Sequence, residues 1–490
     1  MQNMYLIKKI AWMAIGLILF FAPVTLSTEL TPKAGGMENT TIHAQKHLPY
    51  VPGRILVKYR SAATAAAKTD MQTLYGLAVK KEIPSIGTLV FKLPEGLDVK
   101  TAVRQLRDDP RVEYAEPDYY AHPEAIPNDP AFSTQWGLNN TGQVIGGVAG
   151  RPGADINAPA AWDLTVGSDS IIIAVIDTGV DIGHPDLRPN LWVNTGELAG
   201  AASFDDWQPN GLDDDGNGYV DDIVGWDFFF NTNNPNDESK KFGGHGTHVA
   251  GIAAARGNNG AGVTGVSWAA RIMPLAAMDY NDGGLPISAV AGALGYAEQM
   301  GAHVINMSLG LYQDSHTLRN AISAVQHAVI VCAAGNDGTD NDVRPHYPSG
   351  YPNANLIAVA ATDQFDHRVW YSNFGAASVD VAAPGARIYS TYSRFVDASG
   401  YTFLGGTSMA TPMVAGLAAL IRAGNGTLSP VQVVSIIKGS VDKRPSLSGR
   451  VSTGGRINAL QALRAAGVGG GGDSGGGSGG CFIRTLQSVH

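Results

Sequence analysis

The sequence predicts an α/β fold, a doubly wound parallel sheet preceded by a small βαββαβ domain, and three observations carry that expectation. From about residue 128 onward, short and largely apolar runs at 171–176, 272–275, 304–307 and 329–333 alternate with helical stretches. Runs that are apolar along most of their length, rather than on every second residue, belong to strands buried on both faces of a parallel sheet. Between residues 50 and 120 the periodicity changes in the order strand (55–59), helix (63–75), strand pair (79–93), helix (99–107), strand (112–115). That is a split βαβ arrangement, ferredoxin-like in type. The third observation is the 61 glycines, which imply many tight turns and close backbone approaches.

A chain of 490 residues exceeds one compact unit, so each part is placed in turn. Lys8-Lys9, an apolar stretch over 10–24 and small or polar residues near Ser27 read as a secretory signal over residues 1–27. The stretch is short for a membrane span, so cleavage is expected to leave a secreted protein without a stable transmembrane segment. The small domain is expected over 48–121 and the large one over 125–466. A Gly/Ser-rich tract at 467–480 lacks the side chains to order itself and reads as a flexible linker, followed by a tail at 481–490. A net charge of -9, with no Lys/Arg run beyond a pair, argues against nucleic acid or an anionic membrane as partner. Acidic clusters point to cations instead. Cys332 and Cys481 are the only cysteines and sit in very different contexts, so no disulfide is expected and stability must come from packing and metal.

Three motifs supply the residue types of nucleophilic catalysis. The run at 171–176 ends in Asp177-Thr178-Gly179, a carboxylate at the C-terminal edge of a sheet. His245-Gly246-Thr247-His248 opens a small-residue helix, and Gly405-Gly406-Thr407-Ser408-Met409-Ala410-Thr411-Pro412 opens another. A serine hydroxyl needs an imidazole to take its proton, and the imidazole needs a carboxylate to fix its tautomer and stabilise its cation. Asp177, His245 and Ser408 fill those roles. Their chain order, Asp then His then Ser, is one of the orders in which such a triad occurs. Asn336, in Ala333-Ala334-Gly335-Asn336, follows an apolar strand, where its amide can donate to an oxyanion beside the Ser408 N–H.

Over nearly the whole stretch 128–466 these motifs resemble the subtilase family, in particular its thermitase-like branch. One departure is Met413, where the family commonly carries His. The resemblance implies a serine endopeptidase that binds protein or peptide substrates as an added strand between Gly283, Gly284, Leu285 and Ser308, Leu309, Gly310. It implies an S1 pocket walled by Ser308–Gly310 and by Ala333 and Gly335, suited to an apolar or aromatic P1 residue. His346 aligns with the pocket floor; by its residue type alone it either shortens the pocket or faces solvent. A neighbouring His248 and Asp181 are given supporting roles.

Calcium is the implied cofactor, because hard cations need several converging oxygens. By resemblance, Asn259 supplies a side-chain oxygen, Gly257, Ala261 and Val263 supply carbonyls, and Asp129 and Asp186 complete the shell. A second loop, 213–222, follows the alternating start of an EF-hand through Asp213, Asp215, Asn217 and the Tyr219 carbonyl. No Glu closes position twelve, so Asp222 or Asp221 is expected to do so. The small N-terminal domain resembles the inhibitor-I9 propeptide of subtilases, implying a zymogen whose propeptide inhibits the monomeric enzyme intramolecularly until it is cut. The Cys481-Phe482-Ile483 tail resembles a CFI-box. A catalytically impaired, peptide-binding subtilase is the alternative; it would have lost a triad or oxyanion residue, and all four are present.

Overall fold

The computed structural model describes residues 50–119 and 125–469. The expected signal, most of the glycine tract and the Cys481 tail lie outside the described residues.

Strands Tyr50–Tyr59, Ala78–Ile83, Thr88–Lys92 and Val112–Tyr119 form one antiparallel sheet, with the first strand between the third and fourth and the second at an edge. Alternation along the first strand turns Ile55, Val57 and Tyr59 into a core with Phe91, Ala115 and the inner faces of two helices. Those helices, Ala65–Leu74 and Val99–Arg107, begin where side chains meet orphan amides: Thr64 accepts from Ala67 N–H and Asp98 from Thr101 N–H. The βαββαβ order therefore stands as the sequence predicts.

The large domain is built on nine strands. In spatial order they are Asp442–Lys443, Gly455–Arg456, Val381–Pro384, Leu356–Thr362, Val329–Ala333, Val304–Met307, Ile172–Asp177, Arg271–Ala276 and Trp226–Asp227. Every pairing is parallel except that of the edge strand Asp442–Lys443. The two faces carry separate cores, and the strands divide between them residue by residue. Ile173, Val175, Val304, Val329 and Val331 face helices His245–Ala254 and Thr407–Gly424. Ala174, Ile176, Ile305, Ile330 and Cys332 face helices Ile287–Gln299 and His316–Ala324. Burial on both faces is why these runs lack alternation.

From Ile172–Asp177 the chain goes to the edge strand Trp226–Asp227 and then Arg271–Ala276 on one side before it crosses to Val304–Met307 on the other. The ends of these adjacent strands form a topological switch point, where open α/β sheets leave a crevice for ligands. Helix Thr407–Gly424 is buried all round from Met409 to Ile421, so it is a core element rather than a surface helix. It reaches helix His245–Ala254 closely because Gly416 lies against Val266 and the Ala253 carbonyl; a Cβ there would sit 2.6 Å from Val266 Cβ and 2.8 Å from that oxygen.

This gives a paired prediction. Alanine for glycine within a helix ordinarily stabilises by up to about 1 kcal/mol, and Gly295→Ala, which meets nothing within 4 Å, should do so. Gly416→Ala should instead destabilise by about 1–3 kcal/mol, since overpacking outweighs propensity. Denaturant unfolding of both variants checks the opposite signs.

Candidate active site

Asp177 ends its strand at the switch point, buried, with one oxygen accepting from the Thr178 N–H at 2.8 Å. The same Oδ1 lies 2.7 Å from His245 Nδ1. His245 is the first residue of its helix, and the contact is possible because residue 246 is glycine: a Cβ there would sit 2.2 Å from the Gly179 carbonyl and 3.0 Å from Asp177 Cβ. The imidazole is about one third exposed. Burial pulls its pKa down, but the charge and hydrogen bond of Asp177, helped by the charge of Asp237, more than offset this and leave it raised.

Ser408 is the second residue of helix Thr407–Gly424. Four residues on stands Pro412, which has no N–H to give to the Ser408 carbonyl. That carbonyl accepts instead from Ser308 Oγ at 2.8 Å, while Ser408 Oγ donates to the Ser308 carbonyl at 3.2 Å. Ser308 is held in turn by Asn306 Nδ2 at 3.0 Å. Asn336 is tied to the same helix start, its Oδ1 accepting from Thr407 N–H at 2.8 Å and from Thr407 Oγ1 at 3.0 Å. This leaves the amide nitrogen as its donor on the Gly406 side, where a Cβ on Gly406 would be 3.4 Å away.

A cleft of about 610 Å³ opens beside these residues, lined by Asp177, Thr178, Phe242 and His245, by 283–287 and by 308–311. It contains all six residues expected to flank a substrate strand. Phe242 was not legible in the sequence: it lies in a loop with no motif and reaches the cleft by packing on Gly283, where a Cβ would be 2.6 Å from its ring. Ala333, Gly335 and His346 do not line this cavity; His346 lies against both Gly310 and Gly335. His346 is buried, not solvent-facing. Its Cε1 would be 2.0 Å from a Cβ on Gly310, its ring meets Tyr312 edge-on at 5.2 Å, and Nδ1 lies 3.0 Å from Ser349 Oγ. Burial lowers its pKa to about 4, so it is neutral at ordinary pH. His248 is likewise buried, its pKa lowered to about 3 chiefly by burial, and Nε2 lies 3.1 Å from the Ile388 carbonyl, so it ties the helix to the neighbouring strand rather than reaching the cleft.

Residues 168–461 match the Subtilase family. The chain belongs to the subtilase family. It is a subtilisin-like serine protease with an N-terminal prodomain, for residues 36–118 match the Fervidolysin N-terminal prodomain. This subtilase is 36% identical over 417 residues to the Thermophilic serine proteinase of Bacillus sp. (strain AK1), covering 84% of this chain and 88% of that one. It is 38% identical over 341 residues to Thermitase of Thermoactinomyces vulgaris, covering 69% and 99% of the two chains. Among solved structures, fervidolysin from Fervidobacterium pennivorans, described as a keratinolytic enzyme related to subtilisin, aligns with TM-score 0.53 and 25% identity over 85% of this chain and 61% of its own.

Two oxygen-rich clusters lie in this subtilase outside the cleft. In the first, Asp186 is fully buried and accepts from Val263 N–H at 2.9 Å, Tyr401 Oη at 2.9 Å and Asn259 Nδ2 at 3.0 Å. Asn259 thus turns its nitrogen to the carboxylate and its oxygen to the Ala261 N–H, the reverse of the expected ligand; an NH2 is the group a buried carboxylate attracts. Asp129 accepts from Asn258 N–H at 2.7 Å through Oδ2, while its buried Oδ1 has no hydrogen-bond partner. Burial, and then the Asp186 charge, raise the Asp129 pKa.

In the second cluster, Glu197, Asp215 and Asp222 bring ligand oxygens within 4.8 Å of one another. Asp213, expected here, instead spends both oxygens on the N–H groups of Asn217 and Gly218 within its own turn. Asn217 presents its amide nitrogen to Asp222 at 2.9 Å, and Tyr219 turns its ring into an aromatic group with Trp226, Phe228 and Tyr296. Glu197 had no sequence signal, since it comes from a separate turn, 195–198, and meets the loop only in three dimensions.

Proposed function

We propose that this subtilase is a secreted, calcium-dependent endopeptidase acting through Asp177, His245 and Ser408, with Asn336 as an oxyanion donor. The contact of Asp177 Oδ1 with His245 Nδ1 at 2.7 Å is the observation that supports it most directly, because it fixes the tautomer with Nε2 free to accept. Ser408 Oγ turns from the Ser308 carbonyl to that nitrogen and attacks the scissile carbonyl as His245 takes its proton. The imidazolium then gives the proton to the leaving amine, and water, deprotonated by His245, releases the acid from the acyl-enzyme. Asn336 Nδ2 and the Ser408 N–H donate to the oxyanion mainly in the transition state. Ser408→Ala should abolish both peptide hydrolysis and removal of the prodomain, at a junction near 120–126. Mature protein from purified Ser408→Ala, free of other proteases, removes the assignment.

Small residues at Ser308 and Gly310 in the cleft wall, with an uncharged His346 against Gly310, support preference for apolar or aromatic P1 residues. Peptide libraries should show cleavage after Phe, Tyr, Leu or Met ahead of Arg, Lys or Asp. His346→Gly should raise kcat/KM for the largest aromatics relative to Leu. A dominant Arg preference contradicts this pocket.

Asp129 and Asp186, with the 257–263 loop, fit a hard cation: two buried carboxylates, one with an unmet oxygen, have no neighbouring positive side chain among their hydrogen-bond partners. Glu197, Asp215 and Asp222 form the second donor set. An ion in each would supply compensating positive charge. Binding to the folded state alone stabilises by about 2.7 kcal/mol when free calcium is 100 times Kd. The unfolding midpoint of the mature enzyme should rise with calcium, and less steeply in Asp186→Ala and Glu197→Gln. Flat, identical curves for all three proteins remove both sites.

A further inference from the structure

Helix His245–Ala254 starts without a capping side chain of its own, because the preceding residue is Gly244. Its first-turn amides still need acceptors. Thr178 Oγ1 accepts from Gly246 N–H at 2.9 Å. Asp237, eight positions before His245, accepts through Oδ2 from Thr247 N–H at 3.2 Å and from Thr247 Oγ1 at 2.7 Å. Its backbone is fixed by Ser393 Oγ, which donates to the Asp237 carbonyl at 2.6 Å.

Asp237 is fully buried, and its Oδ1 has no hydrogen-bond partner. That oxygen lies against the glycine pair that leads into the helix, for a Cβ on Gly243 would be 2.8 Å from it. A buried carboxylate with an unmet oxygen is costly. Capping a helix needs only a hydroxyl or a neutral amide, as Thr178 shows one residue away, so the cap alone does not account for a charge here. Its charge does act on the neighbouring His245, whose proton affinity it raises.

We propose that Asp237 is a positioning residue for His245: through Thr247 it fixes the start of the helix, and its charge supports the imidazolium formed when Ser408 gives up its proton. The inference rests on the Asp177, His245 and Ser408 reading. Other groups facing this carboxylate are few. His248 is buried and neutral, and Asp181, whose N–H donates to Thr247 Oγ1 at 3.0 Å, is paired with Arg394. Glu238 is next in the chain. Tyr280 and Tyr392 have hydroxyl pKa values raised by burial and then by nearby carboxylates that include Asp237. Burial pushes the Asp237 carboxyl up to about 6, against its bonds to Thr247. It is therefore charged above that pH, where its support is present, and the support is lost as pH falls through it.

The test compares steady-state kinetics of mature wild type, Asp237→Asn, Thr247→Val and Thr247→Ser across pH. Asp237→Asn keeps an acceptor for Thr247 and removes the charge, so the acid limb of kcat/KM should move to lower pH. Its kcat on the plateau should fall on the order of tenfold, less than the roughly 10²-fold cost of a misplaced catalytic group, with KM nearly unchanged. Thr247→Val breaks the tether and keeps the charge: kcat should fall while the acid limb stays, and Thr247→Ser should restore kcat. Because Thr247→Val reads the tether without altering Asp237, it decides that half even if Asp237→Asn does not fold. Wild-type kcat and a superimposable pH profile in Asp237→Asn, or a change confined to its unfolding midpoint, overturns the proposal. A His245→Ala control separates the two readings, for activity in that variant sinks the triad itself.

Discussion

The close contact of two small-residue helices over one face of the sheet is the constraint on which the site depends. Helix His245–Ala254 carries the imidazole at its first residue and helix Thr407–Gly424 carries the serine at its second. Neither is anchored by a charged surface. They are almost wholly apolar and buried, and Gly416 lets one rest on the Ala253 carbonyl of the other. Because packed interiors tolerate little slack, the distance between helix starts is set by core volume rather than by any contact between the reactive groups. The strand ends at Asp177 and Ser308 then meet those helix starts from below.

Around that apolar scaffold the protein places an unusual amount of buried negative charge. Asp177 at a strand end, Asp181 in the turn that follows it and Asp237 in a separate loop approach the His245 helix, and each is handled differently. Asp181 is neutralised by a bidentate Arg394. Asp177 shares its Oδ1 with the imidazole and Asp237 binds a hydroxyl and an amide. A carboxylate in low dielectric needs either a cation or dipoles. In the proposed reaction the imidazole is the group that acquires positive charge, and these unneutralised carboxylates favour its cation.

The loops that cross the surface obey the same electrostatic rule on a larger scale. The Asp129, Asp186 and Asn259 group joins three stretches far apart in sequence, and the Glu197, Asp215 and Asp222 group joins two. The described part of the chain has one cysteine, buried and unpaired, so covalent bridges do not order these loops. In the proposed calcium-bound state a cation would offset the mutual repulsion of these carboxylates and add to packing as a source of loop order.

By itself the sequence determined the element order of the small domain and four central strands of the large one, since buried parallel strands show as continuous apolar runs and the small domain as a switch between two periodicities. It also marked Asp177, His245, Ser408 and Asn336, because each lies in a local glycine-rich motif whose backbone demands are written in adjacent residues. Only the tertiary structure decided what depends on convergence across long separations. His346 went under Gly310 instead of into water, Phe242 joined the cleft, Glu197 joined Asp215 and Asp222 in the acidic cluster, and Asp237 came to cap a helix that has no cap of its own. Those side chains carry no local pattern: their neighbours are fixed by how loops close over a filled core, and loop closure depends on the whole fold rather than on spacing along the chain.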